Sequence, residues 1–430
     1  MCGGRSLSLL WTSGITNNVY NWKDILSPEP SAARGVSFWS EAKAYLKQGG
    51  SRNIIADKLH RVHDGREDIS LCLESGESWM RIAVFCPNWI GDAVMATPAL
   101  RALRRRYQGD HITGIMKPAV ADTLENGPWF DEVLLFDPRS RRPDCGMNSL
   151  LKRLRSNRYD LAILLPNSFR SAALAWLAGI PRRVGYARGW RNLLLTDQLP
   201  PPRDANGRRH PTPAVTYYLE ITRHLRCRVD SIRTELYTTA ADEHAADLVW
   251  SQFGLPVDKS VVCLNTGGAF GPSKNWPAEH FAALARHLAV EAGVPALVLC
   301  GPAERAAARE IVARADHPDV ACLADARQPL GIGLTKACIR RSALLVTTDS
   351  GPRHFAAPFN VPVISLFGPT HIAWTFTFHP RALHLYRPVP CGPCQRRVCP
   401  LGHHRCMREL DPRDVYHAAL RFLHPKRSPK

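Results

Sequence analysis

Residues that could bind a phosphorylated ligand lie together in the C-terminal part of this 430-residue chain. Residues 349–354 (DSGPRH) follow the apolar run 343–348, which predicts a buried parallel strand. Residues 354–359 are expected to open a helix, whose N-terminal N–H groups would face an anion while Gly351 lets the ligand approach closely. This stretch, together with FGPT at 367–370, therefore predicts a phosphate and ribose site for a nucleotide-linked donor. An ordinary strand-to-helix turn with a capping serine is the simpler alternative.

A second loop, residues 265–274, is rich in glycine and ends in Lys274. Its N–H groups and Lys274 could bind phosphate oxygens, and Thr266 with Lys274 could hold a diphosphate without a metal. The loop is not a Walker A motif, since Lys274 follows Ser273 and precedes Asn275, and the chain has no G-x-G-x-x-G motif. An ATPase, a kinase and an NAD enzyme are therefore disfavoured.

Two carboxylates stand at the start of predicted helices. Asp92 follows the predicted strand 81–85 and the turn at Gly91, where it could act as a general base towards a sugar hydroxyl. It could equally be an N-terminal cap that favours the helix dipole. Glu304, after the predicted strand 296–300, could reach a ribose or adenine edge, or serve only as a first-turn helix residue.

From residue 80 onward, predicted strands and helices alternate, which indicates βαβ units and a doubly wound parallel sheet. The α/β pattern occurs twice, so we predict two Rossmann-like domains facing across a cleft. The predicted divisions are an extension of unknown role at 1–78, an acceptor domain at 79–235 and a donor-nucleotide domain at 236–430. The extension contains two modest predicted helices, at 38–46 and 54–62.

The net charge of +18 is unevenly distributed. Residues 79–235 carry 25 basic and 14 acidic groups, a net charge of +11, whereas residues 236–390 carry 13 and 12, a net charge of +1. The basic first half favours an anionic partner, such as a phosphorylated glycan, an anionic membrane surface or nucleic acid. A solvated basic surface without a specific partner is the alternative.

The thirteen cysteines and the lack of a long apolar segment predict a cytoplasmic protein with reduced thiols. Four of them lie close together near the C-terminus, with His403 and His404 between the last two: Cys391, Cys394, Cys399 and Cys406. This spacing fits a structural zinc site, free thiols or an occasional disulfide, and a catalytic metal is not expected. A nucleic-acid-binding protein that uses the cysteine cluster is a distant alternative, which leaves both Rossmann-like halves unexplained.

Several motifs, in this order along the chain, resemble those of the ADP-heptose:lipopolysaccharide heptosyltransferases, glycosyltransferase family 9, and most closely the heptosyltransferase II branch. They are NWIGD at 88–92, MATPAL at 95–100, LPNSFRS at 165–171, RVGY at 183–186, KNWP at 274–277 and the two motifs at 349–354 and 367–370. The resemblance covers about residues 80–423. Residues 1–78 are additional to the family core.

The resemblance implies a GT-B fold and an inverting, metal-independent glycosyltransferase without a cofactor, which moves heptose from ADP-heptose to the lipopolysaccharide inner core. It implies that Asp92 is the catalytic base and that a set of residues binds the donor: Thr266, Lys274, Glu304, Asp349, Ser350, Gly351 and His354. The candidate residues for the anionic acceptor are Lys117, Arg170 and Arg188. The enzyme is then expected in the cytoplasm, in peripheral contact with the inner face of the membrane and without nucleic acid. A GT-B transferase for another nucleotide sugar or glycan acceptor is the nearest alternative.

Overall fold

Strands and helices alternate throughout the computed structural model, which describes residues 79–208, 210–258, 260–268 and 270–423. The predicted extension 1–78, with its two predicted helices, lies outside the described residues. The strands form two six-stranded sheets in which neighbouring strands are all parallel. The predicted α/β class with two Rossmann-like halves is confirmed. The predicted boundary at 235/236 stays a prediction.

The first sheet has the doubly wound order β3-β2-β1-β4-β5-β6. Its strands are β1 Arg81–Phe85, β2 His111–Met116, β3 Glu132–Leu135, β4 Leu161–Leu164, β5 Arg182–Tyr186 and β6 Asp197–Leu199. Its helices are α1 Ile90–Arg106, α2 Pro118–Leu124, α3 Met147–Asn157, α4 Phe169–Leu177 and α5 Ala214–His224. A 3₁₀ helix, Gly189–Leu194, connects β5 to β6.

The second sheet has the order β12-β11-β10-β7-β8-β9, which is the same winding. Its strands are β7 Val262–Asn265, β8 Ala296–Leu299, β9 Val320–Cys322, β10 Leu344–Thr348, β11 Val363–Phe367 and β12 Ala382–Tyr386. Its helices are α6 Ala240–Gln252, α7 Ala278–Ala292, α8 Arg305–Ala315, α9 Ile332–Arg341, α10 Arg405–Arg408 and α11 Pro412–Leu423. Each sheet reverses its winding between two central strands, β1 and β4 or β7 and β10, where α/β proteins bind ligands.

The central strands are apolar because helices cover both faces of each sheet. Every residue of β4, β7, β8, β10 and β11 is buried. Continuous burial explains why these strands are short unbroken apolar runs instead of alternating patterns. Most of the predicted ligand-binding residues lie just after the carboxyl ends of these strands.

The predicted helix at 354–359 is wrong. Only a single 3₁₀ turn, Pro352–Phe355, follows β10, and turns continue to β11 at Val363. Pro358 lies inside the predicted helix and Pro362 precedes β11, and a proline disfavours helical backbone at the residue before it. The helix N-terminus from which an anion site was inferred is therefore reduced to a single 3₁₀ turn.

Contacts between the two halves hold the sheets in a fixed arrangement. Within the first half, Arg101 of α1 holds the segment that leads to the second half, because its Nη2 donates to the carbonyl of Ser231 at 2.6 Å and its Nη1 to that of Arg233 at 3.1 Å. Lys336 of α9 is completely buried, and its Nζ donates to the carbonyl of Asp122 in α2 at 3.0 Å. The carboxyl ends of β1 and β10 consequently face each other.

Candidate active site

Two cavities meet at the start of α1. The glycine cavity, of about 410 Å³, lies between the carboxyl ends of β1 and of β7, β8 and β10. The tyrosine cavity, of about 400 Å³, lies on the side of the first sheet and is lined by Tyr217 and Tyr218. Asp92 lines both. A group bound in either cavity would therefore approach the same carboxylate.

Asp92 is the third residue of α1, and its side chain is half-buried. Burial raises its pKa to about 6, with a further increase from nearby Asp349 and a partial decrease from Lys274. The N-cap of α1 is Trp89, which makes no side-chain capping bond. A carboxylate with this pKa is ionised near neutral pH yet basic enough to accept a proton from a hydroxyl group.

Asp349 is the centre of a buried polar network at the end of β10. Its Oδ2 accepts from Lys274 Nζ at 2.6 Å and from Thr370 Oγ1 at 2.7 Å, and its Oδ1 lies 3.4 Å from Arg353 Nη1. Burial alone would raise its pKa, but Lys274 and Arg353 lower it to about 2. Asp349 is therefore ionised throughout the physiological range, and it fixes the ammonium group of Lys274 at the cavity wall.

Arg353, which sequence reasoning did not include among the site residues, also stabilises this network. It is buried, and its Nε donates to Ser365 at 2.9 Å while Nη1 donates to the carbonyl of Thr375 at 3.1 Å. Burial and the guanidinium of Arg353 hold the pKa of neighbouring His354 well below its usual range. His354 is consequently neutral. Arg353 lies inside the DSGPRH motif, but sequence reasoning selected only its neighbours in that motif as site residues.

Two glycines let the halves of the molecule touch beside this network. A Cβ at Gly91 would lie 2.7 Å from the His354 ring, and a Cβ at Gly351 would lie 2.2 Å from Ile90. Each glycine thus accommodates a residue of the opposite half. Gly91 was predicted only as a turn residue, because the sequence does not show which chain segment packs against it.

The tyrosine cavity combines aromatic and basic side chains. The Tyr217 ring stacks on Tyr186 at a centroid distance of 3.8 Å, and Asn167 donates to the Tyr217 hydroxyl at 2.9 Å. Basic groups line the same cavity: Arg188, Arg203 and His210. This surface suits an anionic, hydroxyl-rich molecule.

Comparison with known protein families decides what kind of site this is. Residues 147–405, well over half of the chain, match the model of glycosyltransferase family 9 (heptosyltransferase). The chain belongs to glycosyltransferase family 9. It is therefore a glycosyltransferase, as the sequence motifs predicted.

Individual relatives agree with this assignment. Lipopolysaccharide heptosyltransferase 2 of Escherichia coli K12 is 28% identical over 366 residues, covering 81% of this chain and 96% of the relative. Lipooligosaccharide heptosyltransferase 2 of Campylobacter jejuni serotype O:6 is 23% identical over 78% of this chain and 97% of its own length. The solved structure of E. coli ADP-heptose lps heptosyltransferase II superposes with a TM-score of 0.65 and 25% identity, covering 80% of this chain and 98% of that one. The predicted GT-B fold is confirmed.

In this family 9 enzyme, most of the predicted donor residues come together. The glycine cavity is lined by Asp92, Lys274, Glu304, Asp349, Ser350, Gly351 and His354. Asn265, which was not predicted, donates to the Ser350 hydroxyl at 2.8 Å. Thr266 is not in this set, because it lines a neighbouring cavity on the other side of the glycine loop.

Glu304 is held in place by its own turn, since its Oε2 accepts from the N–H of Gly301 at 2.9 Å. Its carboxylate also passes close to Gly267, where a Cβ would lie 1.8 Å from Oε1. Glu304 therefore caps its own turn and also lines the glycine cavity, so its two predicted roles, in the first helical turn and in ligand binding, do not exclude each other.

Of the predicted acceptor residues, only Arg188 lines the tyrosine cavity. Lys117 is at the N-cap of α2 and Arg170 is exposed on α4, and neither lines either cavity. Charge alone selected these two residues. The sequence does not reveal which basic side chains face inward.

The cysteine-rich segment braces the loop that carries Lys274. Ser273 Oγ donates to the carbonyl of Arg396 at 2.6 Å, and the Ser273 N–H donates to that of Arg397 at 3.1 Å. At Gly271, where φ is +147°, a Cβ would lie 2.6 Å from the Arg397 carbonyl oxygen. The cysteine-rich segment therefore supports the loop that carries Lys274.

The four C-terminal cysteines line one small cavity together with His403 and His404. All four are free thiols. Across the described residues, no group of three or more His, Cys, Asp or Glu side chains is placed to hold a metal ion. The same residues include no helix long and apolar enough to cross a membrane.

Proposed function

We propose that this enzyme transfers heptose from ADP-heptose to a hydroxyl group of the lipopolysaccharide inner core, with inversion at the anomeric carbon and without a metal. The observation that carries the proposal is the position of Asp92 at the junction of the two cavities, with a pKa raised to about 6. The names of the E. coli relatives, which specify lipopolysaccharide and ADP-heptose, support the choice of substrates.

In this proposal the glycine cavity holds the donor. Lys274 and the N–H groups around Gly267 and Gly268 bind the diphosphate, Glu304 binds the nucleoside, and Ser350, Gly351 and His354 complete the wall. Thr266 would approach the donor from the far side of the loop. Asp349 keeps the ammonium group of Lys274 oriented, and the phosphate oxygens also interact with the positive charge of this group.

The acceptor would occupy the tyrosine cavity, where Arg188 and its basic neighbours face its phosphate or carboxylate groups. The Asp92 carboxylate takes the proton of the attacking hydroxyl, and the acceptor oxygen forms a bond to the anomeric carbon. The bond from that carbon to the diphosphate oxygen breaks, and ADP leaves with the electron pair. Lys274 and the loop N–H groups stabilise the charge that develops on the leaving group, which is the role a metal serves elsewhere.

Titration with ADP-heptose, UDP-sugars and GDP-sugars, followed by transfer assays on lipopolysaccharide core lacking its outer heptose, tests the donor and the acceptor together. We expect binding and turnover with ADP-heptose, unchanged turnover after treatment with EDTA, and a product of inverted anomeric configuration by NMR. Preferred turnover of a UDP- or GDP-sugar would instead support the alternative GT-B transferase. Loss of activity on chelation would contradict the metal-free mechanism.

A further inference from the structure

The first half of the molecule carries an exposed apolar surface beside the tyrosine cavity. We call it the aromatic face, and it consists of Phe169, Trp176 and Leu177 of α4 with Trp190 and Leu193 of the 3₁₀ helix Gly189–Leu194. Their exposed fractions are 56%, 52%, 43%, 81% and 74%. Five large apolar side chains exposed on two neighbouring elements mark an interaction site more often than an accident of the surface.

The spacing of these residues places each pair on one side of its own helix. Phe169 and Trp176 are seven residues apart on α4, which is close to two helical turns. Trp190 and Leu193 are three residues apart in a 3₁₀ helix, which has three residues per turn. The two helices pack against each other. The exposed sides of the two helices therefore lie on adjoining elements.

The buried side chain of Arg191 explains why Trp190 and Leu193 are exposed. Arg191 lies between Trp190 and Leu193 in sequence but is only 1% exposed, and its Nη1 donates to the carbonyl of Pro166. Gly185 leaves room for this guanidinium, because a Cβ there would lie 2.4 Å from Nη2. With Arg191 anchored inward, the rest of the short helix must present Trp190 and Leu193 outward.

The surroundings of the aromatic face are basic. Residues 161–196 contain five arginines and no Asp, Glu or Lys; of these arginines, Arg191 is buried and Arg182 pairs with Asp197. Arg170 and Arg188 are exposed, and Arg155 of α3 reaches the end of α4, where its Nη2 donates to the carbonyl of Leu177 at 3.0 Å. Exposed tryptophan, phenylalanine and leucine side chains with arginine around them fit the interface of an anionic bilayer, where aromatic rings lie at headgroup level.

We propose that the aromatic face docks this enzyme on an anionic phospholipid bilayer. The inference builds on the proposed function, because a lipopolysaccharide acceptor is held in a membrane by its lipid. Arg188 and Gly189, which line the tyrosine cavity, directly precede Trp190. Docking by this face brings the acceptor cavity to the membrane surface, where the sugar of an embedded glycolipid can enter it.

Co-sedimentation of the full chain with vesicles tests the proposal. We expect binding to vesicles of phosphatidylethanolamine and phosphatidylglycerol, weaker binding to phosphatidylcholine, and a decrease with salt, since both apolar insertion and charge contribute. Trp190→Ser with Leu193→Ser should weaken binding by about tenfold or more, because most of the inserted apolar surface is removed. Val257→Ser is the matched control, since Val257 is 90% exposed in the second half of the molecule.

Equal vesicle binding by the double variant and the control would overturn the proposal. So would a wild-type dimer that the double variant converts to monomer while vesicle binding persists, because the face would then join two copies of the chain. Transfer to a delipidated, water-soluble acceptor should be the same in the wild type and the double variant. Vesicle binding without any transfer would contradict the proposed function and leave the docking surface intact.

Discussion

At the scale of single residues, Asp92 combines an unusual pKa with a position shared by two cavities. Its side chain could be singled out from sequence only as one of two alternatives, a base or a helix cap. The structure provides what the sequence lacked, namely the burial and the neighbouring Asp349 that raise its pKa. Arg353 shows the same limit, because its burial beneath the site depends on strands far away in sequence.

Asp92→Asn is expected to lower kcat by about a hundredfold or more while the Kd for ADP-heptose stays nearly unchanged, because a general base typically contributes that much. The kcat/KM of the wild type should fall as the pH falls through about 6, the pKa of the carboxylate. Steady-state kinetics and calorimetry measure both quantities, with Asp144→Asn on the exposed surface as control. An equal loss of donor affinity would show that Asp92 is a structural residue.

The same substitution is expected to stabilise the fold above pH 6. The native pKa of about 6 exceeds the ordinary value of 3.8, so the folded protein binds more protons than the unfolded chain between these values. Stability is therefore lost as the pH rises from about 4 to 6. Asp92→Asn avoids that loss and should gain about 1–3 kcal/mol at pH 8.

Urea unfolding at pH 8 and at pH 4 measures this difference, which should disappear at the lower pH. A variant with the same stability as the wild type at pH 8 would mean that the carboxyl group pays no desolvation cost in the folded state.

At the scale of elements, the alternating pattern predicted most strands because fully buried parallel strands are short apolar runs. The missed elements were those with weak patterns, such as β6 and β9, which have only three residues each. The predicted helix at 354–359 failed for a local reason, the prolines at positions 358 and 362. The support of the Lys274 loop by the cysteine-rich segment involves residues more than 120 positions apart in sequence, which no local pattern records.

Ser273→Ala tests that support. It removes the hydrogen bond from Oγ to the Arg396 carbonyl, so the loop should lose about 1 kcal/mol of stabilisation and the KM for the donor should rise roughly fivefold, with kcat little changed. Ser156→Ala is the matched control, since Ser156 Oγ also donates to a carbonyl, at 3.0 Å, but on exposed α3. Donor kinetics for the two variants give the answer, and identical KM values would mean that the segment does not position the loop.

At the scale of the whole molecule, the proposed reaction requires the two sheets to face each other. The charge distribution along the sequence suggested different partners for the two halves, but it could not show the contacts that join them. Buried Lys336, which links α9 to α2, and the glycine pair at 91 and 351 are such contacts. Each of these contacts joins a residue of one half to a residue of the other.

Lys336→Met keeps the length and apolar stem of the side chain but removes the donor to the Asp122 carbonyl. We expect kcat/KM to fall by about tenfold, because a hydrogen bond from a charged group holds the halves together. Small-angle scattering should show a larger radius of gyration than for Arg340→Met, whose side chain pairs with Glu243 within the second half. Unchanged scattering and kinetics would remove Lys336 from the closure of the cleft.

The shared position of Asp92 has a practical consequence for inhibitor design. Because one carboxylate borders both cavities, a single compound can join an adenine nucleotide mimic to an acceptor fragment and pass directly beside it. A protonated amine at the junction would form an ion pair with Asp92 only when that carboxylate is ionised. Such a bisubstrate inhibitor should therefore bind more tightly as the pH rises through 6, a dependence that neither half of the compound would show by itself.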